Sequence, residues 1–291
     1  MRANPFLDRR VIAYAHQGGA REAPSSTVAA IGQALRAGAT AIELDVHATR
    51  DGHLVVCHDA TLERTTNGSG AIRHHTLAEL AELDNAYWFV PGEDVVTGRE
   101  PGEYPLRGRA PADSAYRIAA LAEILEAFPG VLLNLDIKQT APEVTPYEEP
   151  LAELLRRYGR RDDVIVASFS DRATDSFRKL APEIPTSAGT NATAELVYAL
   201  RAGRPAPESL SCHVAVQVPA AFGEVPIVDE AFVKGAHAAG LAVHVWTIDE
   251  PSEMEALLDV GVDGIISDVP SVLVGVLGER DLAWKAATTG S

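Results

Sequence analysis

Short runs of apolar and β-branched residues alternate along the chain with longer stretches of helical periodicity. The runs Val11–Ala15, Ala41–Val46, Val131–Ile137, Val164–Ser168, Ile184–Ala188, Val214–Val218, Ala242–Trp246 and Gly264–Ser267 read as eight buried strands. Helical patterns cover Ser26–Ala37, Ala119–Phe128, Tyr147–Tyr158, Asp171–Leu180, Thr193–Ala202, Asp229–Ala239, Pro251–Asp259 and Ser271–Leu277. This alternation implies parallel strands joined by right-handed crossovers, because no tight turn reaches a parallel neighbour. Eight such units predict an α/β fold, a closed (β/α)8 TIM barrel, with residues 1–291 forming a single domain. The end signals agree. Ser25 or Ser26 is placed to cap the first helix and Gly38 follows it. Asp171 is placed to cap the fourth, Gly240 follows the sixth and Pro251 opens the seventh.

One segment breaks the rhythm. Residues 87–113 hold four glycines and four prolines, a density that forbids a regular element. An insertion between the second and third barrel strands is expected there. Loops after barrel strands lie on the face that carries active sites, so the insertion is either a lid or a surface loop. Its aromatic cluster Tyr87-Trp88-Phe89 either packs the insertion or contacts a ligand.

Composition narrows the function classes. The hydrophobic fraction of 46% supplies a large core and excludes disorder. Lys and Arg number 25 against 41 Asp and Glu, a net charge of −16. That balance argues against nucleic acid as a partner, which needs a basic face. No apolar stretch approaches the roughly 18 residues of a transmembrane span. Val11–Ala15 is too short for a signal-peptide core and is interrupted by His16, so a cytoplasmic chain is expected. Cys57 and Cys212 are expected to be free thiols.

Candidate chemistry appears where polar residues interrupt strands. In Ala-Ile-Glu43-Leu-Asp45-Val the two acids stand at i and i+2, on one face of the second strand. In Leu-Leu-Asn134-Leu-Asp136-Ile-Lys138, Asp136 and Lys138 share a face of the third. If these strands are neighbours, three carboxylates converge near one ammonium. An all-oxygen set suits Ca²⁺ or Mg²⁺; the bland alternative is a salt-bridged core around Lys138. His16 and His58 each follow an apolar run at a strand exit, where an imidazole can serve as acid or base. His47, four residues beyond Glu43, is expected to be carried to the rim by strand twist. Trp246 ends the seventh strand, as a ligand wall or a core cap. No Gly-x-Ser-x-Gly elbow, phosphate-binding P-loop or dinucleotide glycine fingerprint is present.

Together these motifs resemble the glycerophosphodiester phosphodiesterase family. Its order is His-Arg-Gly, Pro-Glu-Asn-Thr, Glu-Leu-Asp-Val, Asp-Gly and His-Asp. Here it reads His16-Gln17-Gly18, Pro24-Ser25-Ser26-Thr27, Glu43-Leu44-Asp45-Val46, Asp51-Gly52 and His58-Asp59. Asp136-Ile137-Lys138 is similar to a later Glu-x-Lys, and Trp246-Thr247 and Gly261 to Pro270 match the closing motifs. The resemblance implies one divalent cation, Ca²⁺ or Mg²⁺, held by Glu43, Asp45 and Asp136. It implies His16 and His58 as catalytic acid and base, and Lys138 against the substrate phosphate. Gln17 replaces the family's arginine and Ser25-Ser26 its Glu-Asn pair. Gln17 and Trp246 are expected to contact substrate. The expected substrate is a small glycerophosphodiester, split to an alcohol and sn-glycerol 3-phosphate. The segments Tyr87 to Gly92 and Leu135 to Lys138 look like the branch with lysophospholipase D-type members, so a lysophospholipid is the alternative. A non-catalytic barrel that binds phosphodiesters is a third.

Overall fold

The computed structural model describes residues 4–7 and 11–282. Within them run ten strands: β1 (Ile12–His16), β2 (Ala41–Ala48), β3 (Leu54–Val56), β4 (Leu132–Ile137), β5 (Val164–Ala167), β6 (Ala215–Pro219), β7 (Ala221–Phe222), β8 (Val225–Pro226), β9 (Ala242–Trp246) and β10 (Gly264–Ser267). The helices are α1 (Val28–Ala37), α2 (Leu77–Ala81), α3 (Leu121–Ala127), α4 (Glu148–Arg157), α5 (Asp171–Leu180), α6 (Thr190–Arg201), α7 (Glu230–Ala238), α8 (Pro251–Val260) and α9 (Pro270–Glu279).

Seven strands form a parallel sheet in the order β5-β4-β2-β1-β10-β9-β6, with β3 antiparallel on β2. The expected fifth strand, Ile184–Ala188, is a pair of isolated parallel bridges, Val166 with Thr186 and Ser187 with Ala215. Those bridges join β5 to β6 and close the barrel. The pairing is thin because Pro185 has no N–H for the ladder; its carbonyl still accepts from Val166.

Residue alternation sorts the strands into two faces. Outward side chains such as Ile42, Leu44, Leu133 and Leu135 are buried under helices, with Ile31, Leu151 and Phe177 in the same cluster. Inward, the lower layer is apolar: Ile12, Ala41, Leu132, Ile165, Ala215 and Ala242, in one cluster with Phe6. Above it the interior turns polar, at Glu43, Asn134, Gln217 and His244, and then at Asp45 and Asp136. The barrel thus carries its charge toward the strand C-termini.

Local details differ from expectation where side chains found other partners. Thr27, not Ser25 or Ser26, caps α1 by accepting from the Ala30 N–H, while Gly38 ends the helix in the left-handed conformation as expected. Asp171 does not cap its own helix. Its carboxylate accepts from the Asn191 and Ala192 amides at the start of α6, tying two crossovers together. The excursion between β2 and β4 begins well before residue 87, with β3 and α2. Within 87–113 the Arg107 guanidinium lies 4.0–4.6 Å from the ring centres of Tyr87, Trp88 and Tyr104. No described helix is long and apolar enough to cross a membrane. Cys57 and Cys212 are free, the first buried and the second exposed.

Candidate active site

The strand register brings the acids together. Asp45 on β2 pairs directly with Asp136 on β4, and Glu43 lies one inward step below, beside His16 of β1. All three carboxylates are buried. Lys138 leaves the end of β4 and places Nζ 3.0 Å from Asp45 Oδ1 and 3.5 Å from Asp136 Oδ2. One ammonium for three carboxylates leaves electrostatic strain. Burial, then the Asp45 charge, push Glu43 upward. Burial pushes Asp136 up to about 6, with Lys138 opposing and Asp45 adding. Burial works against the Lys138 charge, but Asp45 and Asp136 outweigh it and push it up to about 12.

The two histidines face one another across this floor, with ring centres 6.3 Å apart at 83°. Each has its own aspartate. His16 Nδ1 lies 2.7 Å from Asp268 Oδ1 at the end of β10, a partner 252 residues away. His58 Nδ1 lies 2.6 Å from Asp59 Oδ1. Burial disfavours the charged His16 ring, yet the Asp268 bond and the Glu43 charge push it up to about 9. His47 is not at the rim. It is buried, with Nε2 3.4 Å from the His58 carbonyl, because the turn back into β3 covers it.

A cavity of about 450 Å³ joins these groups. Its polar side holds His16, His58, Glu43, Asp45, Asp136 and Lys138. Its apolar side includes Phe169, Pro219, Phe222 and Trp246. Trp246 meets Phe169 edge-on at 5.5 Å. Seven of the eight residues singled out from sequence therefore converge. Gln17 is placed differently. It is buried beneath His16, with its Nε2 3.2 Å from His16 Nε2 and its amide N–H donating to Glu43, and it does not line the cavity. The Ser26 amide donates to the Gln17 carbonyl, so the two departures from the family pattern are neighbours.

Asp268, Phe169 and Phe222 escaped the sequence reading. Asp268 sits in the closing motif, but its partner is at the other end of the chain. Phe169 lies between two serines, and Phe222 sits in a hairpin of two-residue strands, too short for any periodic signal. Gln217 and Asn134, inward on β6 and β4, exchange two amide hydrogen bonds across the barrel. Ser168 bonds the Ile137 carbonyl and serves the backbone. Tyr87 and Trp88 pack on Arg107 rather than on the cavity.

The sequence model of the glycerophosphoryl diester phosphodiesterase family matches residues 16–272, from the first histidine to the start of α9. The chain belongs to this family of phosphoric diester hydrolases. It is 32% identical over 270 residues to a glycerophosphodiester phosphodiesterase of Caldanaerobacter subterraneus, covering 92% of this chain and 98% of that one. A Bacillus subtilis glycerophosphodiester phosphodiesterase is 28% identical over 278 residues, covering 93% and 88%. Among solved structures, an Oleispira antarctica phosphodiesterase in complex with the product sn-glycerol-3-phosphate superposes with a TM-score of 0.71. That pair is 26% identical and covers 92% of this chain and 97% of the other.

Proposed function

We propose that the protein hydrolyses glycerophosphodiesters to an alcohol and sn-glycerol 3-phosphate, with one Ca²⁺ or Mg²⁺ held by Glu43, Asp45 and Asp136. The observation that carries the reading is the pair of aspartate-backed imidazoles facing each other over a floor of three carboxylates and one ammonium.

The acids fit a hard cation by their chemistry. Asp45 Oδ2 and Asp136 Oδ1 are buried without hydrogen-bond partners, and such oxygens are costly unless a cation or proton joins them. Among the described residues no three side chains of His, Cys, Asp or Glu stand as a ready-made metal site. The support is therefore the donor set and its orphan oxygens, together with family membership. When bound, such an ion supplies positive charge against the negative charge that develops on the phosphoryl oxygens. Lys138 presents a second positive charge from the same side, already oriented by two carboxylates. One imidazole takes the proton of the attacking oxygen and the other delivers a proton to the leaving alkoxide. Water thereby adds across the P–O bond with no net gain or loss of protons. Proton transfer of this kind contributes typically about 10²–10⁴-fold for each residue.

A second reading, lysophospholipid cleavage, is favoured by the apolar side of the mouth. Phe169 is 59% exposed, and Phe222 and Val225 on the β7–β8 hairpin are 79% and 47% exposed. That rim, rather than Tyr87 to Gly92, offers apolar surface to an acyl chain. One panel tests both readings: glycerophosphocholine, glycerophosphoglycerol and lysophosphatidylcholine, each with Ca²⁺ or Mg²⁺ and with chelator. Release of glycerol 3-phosphate that chelator abolishes is expected. Turnover indifferent to chelator removes the cation, and no turnover on any diester removes the hydrolase reading. Faster turnover of lysophosphatidylcholine assigns the apolar rim to a lipid chain.

A further inference from the structure

His58 is held by a shorter leash than His16. Its partner Asp59 is the next residue, so the carboxylate must fold back on its own neighbour to reach Nδ1. The side chain of an aspartate at a half-exposed turn has other rotamers available. What fixes this one is Arg64, whose Nε donates to Asp59 Oδ2 at 2.7 Å while His58 takes Oδ1 at 2.6 Å. We infer that Arg64 is a positioning residue for His58, acting through Asp59 to set the orientation and tautomer of the imidazole. The inference rests on the hydrolase reading, in which His58 exchanges a proton with the reacting oxygens.

Three observations support the chain of contacts. First, the backbone that carries Arg64 is anchored. It lies between Leu62, fully buried, and Thr65, whose hydroxyl donates to Asn85, while the Thr66 amide donates to the Leu62 carbonyl. Second, the guanidinium spends itself on Asp59. Its Nη2 is enclosed and has no hydrogen-bond partner, a cost that simple surface pairing would avoid. Third, two charge-assisted bonds keep Asp59 ionised: the His58 bond, and then the Arg64 bond against burial, hold its carboxyl well below the usual range. An ionised Asp59 accepts only, so Nδ1 of His58 carries the proton. In the neutral ring Nε2 is then left with its lone pair free for the reaction. The His47 contact to the His58 carbonyl steadies the backbone of the same residue from the barrel side. The partner of His16, Asp268, is fixed at the end of β10, where its amide donates to Asp249, which itself lies 3.5 Å from Arg21.

The test compares Arg64→Lys, Arg64→Met and Asp59→Asn on glycerophosphocholine with the divalent ion present. Arg64→Met is expected to lower kcat about 10²-fold, the usual scale of a small misplacement, with KM within about twofold. Arg64→Lys, which can still give Asp59 one charged bond, is expected to recover most of that loss. In ¹⁵N spectra His58 should pass from the Nδ1–H form in the native enzyme to a mixture in Arg64→Met. Should Arg64→Met not fold, Asp59→Asn reads the same link: it is expected to lose about 10⁴-fold in kcat, and adding Arg64→Gln should cost nothing more. Native kcat in Arg64→Met, an unchanged His58 tautomer, or additive losses in the double variant overturns the inference. Inactivity of the native protein on every diester, by contrast, removes the hydrolase reading on which it rests.

Discussion

Two kinds of buried group without a partner stand apart in this barrel. Asp45 and Asp136 keep an unpaired oxygen each at the cavity floor, beside chemistry that needs it. His244 is different. It is fully buried on β9 with both ring nitrogens unpaired, against Tyr14 at 5.1 Å and Phe6 at 6.4 Å. Gly264 lies beside it, where a Cβ would stand 2.8 Å from the His244 ring. No charged side chain shifts it; burial alone pushes the ring down to about 3. Above pH 6.5 both folded and unfolded chains hold this residue neutral, and it adds no pH dependence. Below 6.5 the unfolded chain binds a proton that the folded chain refuses. Stability is therefore lost as pH falls from 6.5 toward 3, by up to about 1.4 kcal/mol per unit from this group. His244→Leu is expected to remove that component. Urea midpoints at pH 7.5 and 5.5 check it: the native protein should weaken more than the variant, and parallel curves would refute the assignment. The pattern of acids and Lys138 was legible because a period of two, on adjoining strands, leaves their faces no choice. Alternation places His244 inside as well, but it does not separate core from cavity wall, since it says nothing of the residue's neighbours.

Between strands, the legible and the illegible separate by how far a partner lies along the chain. Seven barrel strands and the crossover helices follow from runs and caps that are local. The weak closure at 184–188 was readable only in hindsight, from Pro185. The Asp171 contact to α6 and the Asp268 contact to His16 join elements whose meeting depends on the closed barrel, so no local pattern announces them. The segment 87–113 is the clearest case. Its glycines and prolines foretell irregular chain, but not the device that orders it. Arg107 lies against three aromatic rings and its Nε donates to the Tyr87 carbonyl. Trp88 Nε1 in turn donates to the Thr66 carbonyl, tying the segment to the turn that carries Arg64. Cation–π contacts are worth about 0.5–2 kcal/mol each, depending on exposure. Arg107→Ala is expected to loosen this segment before the barrel. Limited proteolysis should cut within 87–113 faster than in the native chain, while the thermal midpoint falls by only a few degrees. Equal protection in the two proteins would show that the aromatic rings hold the segment without the arginine.

Taken as a whole the molecule is strongly anionic, at −16, yet it is proposed to bind an anion. The two facts are compatible because the site concentrates its positive charge: Lys138 at the cavity floor, and the divalent ion proposed for the three acids. The field far from the mouth is still negative, and encounter is governed by that field over roughly a Debye length, about 10 Å at 0.1 M salt. Substrates that differ in net charge should therefore respond differently to salt. Glycerophosphoglycerol carries one negative charge and is repelled at long range; glycerophosphocholine is neutral overall. Raising NaCl from low to moderate concentration, at saturating divalent ion, is expected to increase kcat/KM for glycerophosphoglycerol by about two- to threefold, while leaving glycerophosphocholine nearly unchanged. Because both diesters share one reaction centre, screening inside the site would move them together, and only the long-range term separates them. A fall in kcat/KM for the anionic diester with added salt would mean that the positive charge at the cavity floor, not the acidic surface, steers the substrate in.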